Sequence, residues 1–179
     1  MSGGAWASEY RKVLNRRLDG VCLCALAGSD SPIVMSSLRE PIIGFSGGVL
    51  LAFDEEADLF LTWDRAGSKT SDYGLALYPS ETERWGRFAL DRIRVSTEDP
   101  WGRLAGGVLQ RVDIYSSEGT NGARLTTTAA HHLEGPSGAV TFWVSTASGE
   151  MAGEGDDILV SVDRDLAVAS DFHLDETIQ

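Results

Sequence analysis

Three histidines, two cysteines and several carboxylate clusters are the residues of this 179-residue chain whose types and spacing could do chemistry. His131 and His132 are adjacent. On a strand, neighbours point to opposite faces, so the two cannot share a metal ion without a bulge. One of them could instead join Glu134 or the distant His173. Cys22 and Cys24 lie two apart, which on a strand puts both on one face in poor geometry for a mutual disulfide. They read as free thiols of a reducing compartment, because a bare C-x-C is neither a metal nor a redox motif. The carboxylates cluster at Asp54, Glu55, Glu56 and Asp58, at Glu98 and Asp99, and at Asp156 and Asp157. A calcium loop needs alternating acids, a glycine and a distal glutamate; the 54–58 run lacks the alternation and the glycine. Solvated turn charges are the plainer reading.

A Ser-His-Asp set can be assembled on paper, but no G-x-S-x-G elbow presents a serine between a strand and a helix. The glycine-rich stretches Phe45-Ser46-Gly47-Gly48 and Ala105-Gly106-Gly107 have neither the Lys-Ser/Thr of a phosphate loop nor dinucleotide spacing. They suit strand entries, where glycine relieves crowding. No cofactor, metal or catalytic residue is therefore assigned, and a binding role ranks ahead of an enzyme.

The elements that would position these residues follow from the hydrophobic period. Met1–Ala7 is small and glycine-rich, which predicts a loose lead-in. Ser8 is a plausible N-cap, with Tyr10, Val13, Leu14 and Leu18 at helical spacing and Gly20 as a stop. Beyond it the period becomes that of strands: Val21–Ala27, Ile33–Leu38, then a break at Pro41 and Gly44. Gly48–Phe53, the acidic turn 54–57 and Asp58–Trp63 form the clearest hairpin. Shorter strands are expected at Leu75–Tyr78, Glu83–Phe88 and Asp91–Val95. Longer ones follow over Gly107–Tyr115, Ala123–Leu133, Ala139–Ser145 and Ile158–Val162. The tail from 166 to 179 is either a last strand or a docked extension. The fold class is α+β, predominantly antiparallel β-sheet with one N-terminal amphipathic helix, in a single domain over residues 1–179.

Charge narrows the partners. With 27 acids against 15 bases, the formal net charge is −12. Such a chain repels nucleic-acid phosphates and anionic membranes and attracts a basic protein. No run approaches the roughly 20 apolar residues of a membrane-spanning helix. The basic residues up to Arg17 ahead of Val21–Ala27 imitate a signal peptide only faintly, since the apolar run is short and Glu9 and Asp19 interrupt it. A cytoplasmic protein is expected.

The order of helix and strands, with Pro100-Trp101-x-x-Leu104-x-Gly106-x-x-Leu109 followed by Val112-x-Ile114, resembles small cytosolic bacterial proteins of unassigned function. Immunity proteins of polymorphic toxin systems are among them. The resemblance implies a partner, a toxin domain and often a basic nuclease, held tightly and occluded; it carries no catalytic residue over. Candidate partner-binding residues are Asp54, Glu55, Glu56 and Asp58, then Trp101, then Glu154, Asp156 and Asp157. An exposed tryptophan beside acidic loops would be an interface anchor, although a turn tryptophan packed into the core is the competing reading of Trp101. Two rival functions stay open: a small-molecule-binding or enzymatic β-fold with its pocket near His131 or His132, and a homo-oligomer joined at an edge strand.

Overall fold

A computed structural model describes residues 4–26, 33–36, 41–65, 73–80, 90–95, 101–116, 130–144, 157–161 and 173–179. The helix, α1, spans Gly4–Val13, starting earlier and ending earlier than the expected Ser8-capped segment. Ser8 lies inside it, and the supposed lead-in supplies its first turn. The reason is burial: Trp6 and Ala7 extend the apolar stripe of Tyr10 and Val13 by one turn, and all four are buried. The helix stops because Asn15 adopts the left-handed region at φ 63°, a conformation asparagine tolerates. Leu18, expected on the helix, instead opens the first strand.

Twelve strands follow among the described residues: β1 (Leu18–Leu26), β2 (Ile33–Ser36), β3 (Pro41–Ser46), β4 (Gly48–Phe53), β5 (Asp58–Arg65), β6 (Tyr73–Tyr78), β7 (Leu90–Arg94), β8 (Arg111–Ser116), β9 (Ala130–Gly135), β10 (Gly138–Val144), β11 (Asp157–Ser161) and β12 (His173–Ile178). They form two antiparallel sheets, one of five strands in the order β6-β5-β4-β1-β7 and one of seven in the order β12-β8-β9-β10-β11-β3-β2. The fold is thus α+β and mostly antiparallel β. The expected hairpin is β4–β5, in register from Gly48 opposite Thr62 to Ala52 opposite Asp58. Pro41 does not break the chain. It is the first residue of β3, where a proline leaves the ladder intact, and Gly44 sits within that strand. The tail forms β12. The expected strand at 83–88 lies outside the described residues.

Two seams join the sheets. At Gly47, whose φ of 133° suits glycine, the chain passes from β3 in the larger sheet to β4 in the smaller. At the other seam a short ladder ties the entry to β1 to the entry to β8. There Asn15 N donates to Leu109 O (2.8 Å), Leu109 N to Arg16 O (3.0 Å) and Leu18 N to Gly107 O (2.9 Å). The inward rows of both sheets, such as Val49 and Leu51 on β4 or Val112 and Ile114 on β8, meet Trp6, Tyr10 and Val13 of α1 in one core. Helix α1 packs against β6 and β12, an end strand from each sheet. No helix among the described residues is long and apolar enough to cross a membrane.

Candidate functional site

His131 and His132 take opposite faces of β9, as the strand period requires. His131 points inward beneath α1. Its Nδ1 lies 2.8 Å from Tyr10 Oη, the rings meet edge to face at 5.3 Å, and both side chains are fully buried. Burial lowers the His131 pKa to about 3 and pushes the Tyr10 phenol far above its ordinary range. The imidazole is therefore neutral, the hydroxyl keeps its proton, and the two share one hydrogen bond between Oη and Nδ1. This contact fastens the helix to the larger sheet.

His132 faces the other way and belongs to a row that crosses four strands. Thr177 on β12 is opposite Asp113 on β8, Asp113 is opposite His132, and His132 is opposite Thr141 on β10. Thr177 Oγ1 donates to Asp113 Oδ1 (2.7 Å), as does Arg111 Nε (3.0 Å). His132 Nδ1 is 2.8 Å from Thr141 Oγ1. An acid, an imidazole and a hydroxyl are the ingredients of a nucleophilic relay. Here, though, Asp113 and Thr141 are fully buried and His132 nearly so, so a substrate carbonyl has no approach to the hydroxyl. The row satisfies buried polar groups across the sheet. Only the strand register brings Asp113, Thr141 and Thr177 to His132, which is why the sequence did not single them out.

The Cys24 thiol is also buried, while Cys22 is half-buried. Cys22 and Cys24 are free. Burial raises the Cys24 pKa to about 11, with nearby Arg92 opposing the shift, so Cys24 is almost wholly the protonated thiol at neutral pH. Among the described residues no three His, Cys, Asp or Glu side chains converge as a metal site would require.

The acidic turn between β4 and β5 lies wholly within the described residues. Its 3-10 turn, Asp54–Glu56, is braced by the segment before β1. Asp54 N donates to Arg17 O (3.0 Å), and Arg16 Nη1 donates to the Asp54 carbonyl (3.3 Å). Glu55 sits at the tip with φ 59°, its side chain 78% exposed and its carboxylate 3.0 Å from Arg16 Nη1. Asp58 is exposed at the start of β5, while Glu56 lends its backbone to the turn. Arg16 offsets part of the local negative charge, but a pair this exposed holds loosely in water.

The other expected partner-binding residues fall elsewhere. Asp157 heads β11 opposite Ser46, beside the seam at Gly47. The 54–58 turn is at the far end of the six-residue β4, about 20 Å away at strand rise. Asp157 and the 54–58 turn thus stand at opposite ends of β4. Glu154 and Asp156 lie outside the described residues. Trp101 is only 1% exposed and belongs to the core, in a 3-10 turn where Leu104 N and Ala105 N both donate to its carbonyl (3.0 Å each). It offers a partner no ring, and the packing reading of this residue holds. Replacing Trp101 with Ala should lower unfolding stability by about 3–5 kcal/mol, measured by urea denaturation; a loss below about 1 kcal/mol would mean that the ring contributes little to the core.

No family model, curated protein or solved structure matches the chain.

Proposed function

We propose that this is an acidic cytoplasmic binding protein that captures a basic protein partner, such as a toxin domain that it neutralises. One observation supports this reading above the others. The side chains best suited to chemistry (His131, His132, Asp113 and Tyr10) are buried in internal contacts, whereas Glu55 and Asp58 stand exposed on a braced turn. A turn already fixed in place loses little conformational entropy on docking. The net charge of −12 would steer a basic surface towards it. The resemblance to immunity proteins suggests the same class of partner, and the two free thiols suit a reducing compartment.

The test is affinity capture from the native cell at low and high salt, followed by kinetics on the isolated partner. A basic protein retained at low salt and weakened at high salt is the expected result; finding none under either condition rejects the proposal. With that partner, a Glu55→Ser/Asp58→Ser variant should associate about three- to tenfold more slowly at low salt, with a flatter salt dependence. An association rate equal to that of the unaltered protein would remove the turn from the interface.

A further inference from the structure

Each sheet ends, among the described residues, in a strand that carries a solvent-exposed aliphatic side chain. Ile93 on β7 is 43% exposed and Leu174 on β12 is 52% exposed. Single exposed apolar residues are ordinary. These two are distinguished by where they stand and what flanks them. Arg92 and Arg94 bracket Ile93, and all of Asp91–Arg94 is exposed, so both faces of β7 meet solvent. Leu174 is followed by Asp175 and Glu176, with His173–Asp175 exposed. One edge is basic and the other acidic.

We propose that the chain self-associates head to tail, β7 of one copy adding to the β12 edge of the next. Sheet edges are sites of strand addition, and charges on them decide which partners are refused. A two-fold contact of β7 with itself, centred on Ile93, sets Arg92 against Arg94. A two-fold contact of β12 with itself gathers the acids of both copies. Like charges directly opposite are unfavourable. The unlike pair has no such conflict. If β7 reads β12 in the register in which β8 reads it, with the same bulge between Leu174 and Glu176, Ile93 meets Leu174, Arg92 meets Glu176 and Asp91 meets Thr177. Glu176 already pairs with Arg11 of the helix, so Arg92 would join an existing exposed ion pair. At about 0.15 M salt the Debye length is about 8 Å, so repulsion between the two acidic bodies is largely screened while groups in contact still interact. Because the joined surfaces differ, the contact is heterologous and leaves a free edge at each end of the assembly.

The experiment is sedimentation velocity on the full chain at about 0.15 M salt, from micromolar to millimolar concentration. The weight-average mass should more than double over that range. Ile93→Asp and Leu174→Lys each set a charged group against the apolar side chain that faces it on the neighbouring copy. Each variant alone should stay at the monomer mass. Mixed in equal amounts they should assemble again, since the native contact survives in one direction and Asp meets Lys in the other. Recovery of mass on mixing two monomeric variants is a result misfolding cannot produce. A monomeric wild type at every concentration, variants that assemble as the wild type does, or a mixture that stays monomeric would each overturn the proposal.

Discussion

Lowering the pH from 7 to 4 should destabilise the fold by about 3 kcal/mol through His131 alone. The folded-state pKa of this imidazole is about 3, against an unfolded value of about 6.5. The unfolded chain therefore binds a proton that the folded chain refuses throughout that window. Stability from this group is complete above pH 6.5 and falls as pH drops towards 3, by about 1.4 kcal/mol per unit. Protonation within the core would put an unpaired cation beside Tyr10 and make both ring nitrogens donors, so the hydroxyl could only accept from the ring. The check is a series of urea midpoints from pH 7 to pH 4. In a Tyr10→Phe/His131→Leu variant the hydroxyl and the imidazole of this contact are removed together, which costs less than removing either one alone. That variant should keep most of its stability at pH 7 and lose the steep acid dependence. An unaltered slope would mean that other groups govern acid unfolding.

The contrast between His131 and His132 shows where sequence reading succeeds and where it stops. Their opposite orientations follow from the strand period, and both side chains obey it. What each one touches depends on strands far away in the chain: Tyr10 is 121 residues from His131, and no local pattern specifies that distance. The same division runs through the fold. The β4–β5 hairpin is legible because its turn and its apolar arms are contiguous, so local chemistry alone sets the register. The helix boundaries are misread because the Gly-rich start looks unstructured until Trp6 and Ala7 are seen to be buried. Tertiary burial there outweighs weak local propensity. Pro41 reads as a break because its tolerance at a strand start depends on neighbours that the sequence does not name. Of the candidate site, the exposure of Glu55 and Asp58 agrees with the expectation of solvated turn charges.

Gly48→Ala should be the most damaging single methyl group in the described part of the molecule, lowering stability by about 3 kcal/mol or more. A Cβ at this position would stand 2.2 and 2.5 Å from the Phe60 ring and 2.8 Å from the Leu61 carbonyl oxygen. The ring has little room to yield, because Phe60 is fully buried and packs with Cys24 and Leu50 on the face of the five-stranded sheet away from the main core. The backbone is pinned as well. Thr62, directly opposite Gly48, donates its hydroxyl to the Gly47 carbonyl at 2.5 Å, at the seam where the chain changes sheets. Relief of the clash must therefore disturb either the small cluster or the crossing between sheets. A double-mutant cycle with Phe60→Leu separates the two, since shortening the ring removes two of the three close approaches. In the wild-type background Phe60→Leu should destabilise by about 1–2 kcal/mol, whereas in the Gly48→Ala background it should restore stability, giving a coupling of about 2 kcal/mol. Additive effects would locate the damage in the Leu61 carbonyl contact and hence in the β4–β5 ladder itself. The glycine would then be required by the backbone of the seam rather than by the aromatic ring that lies over it.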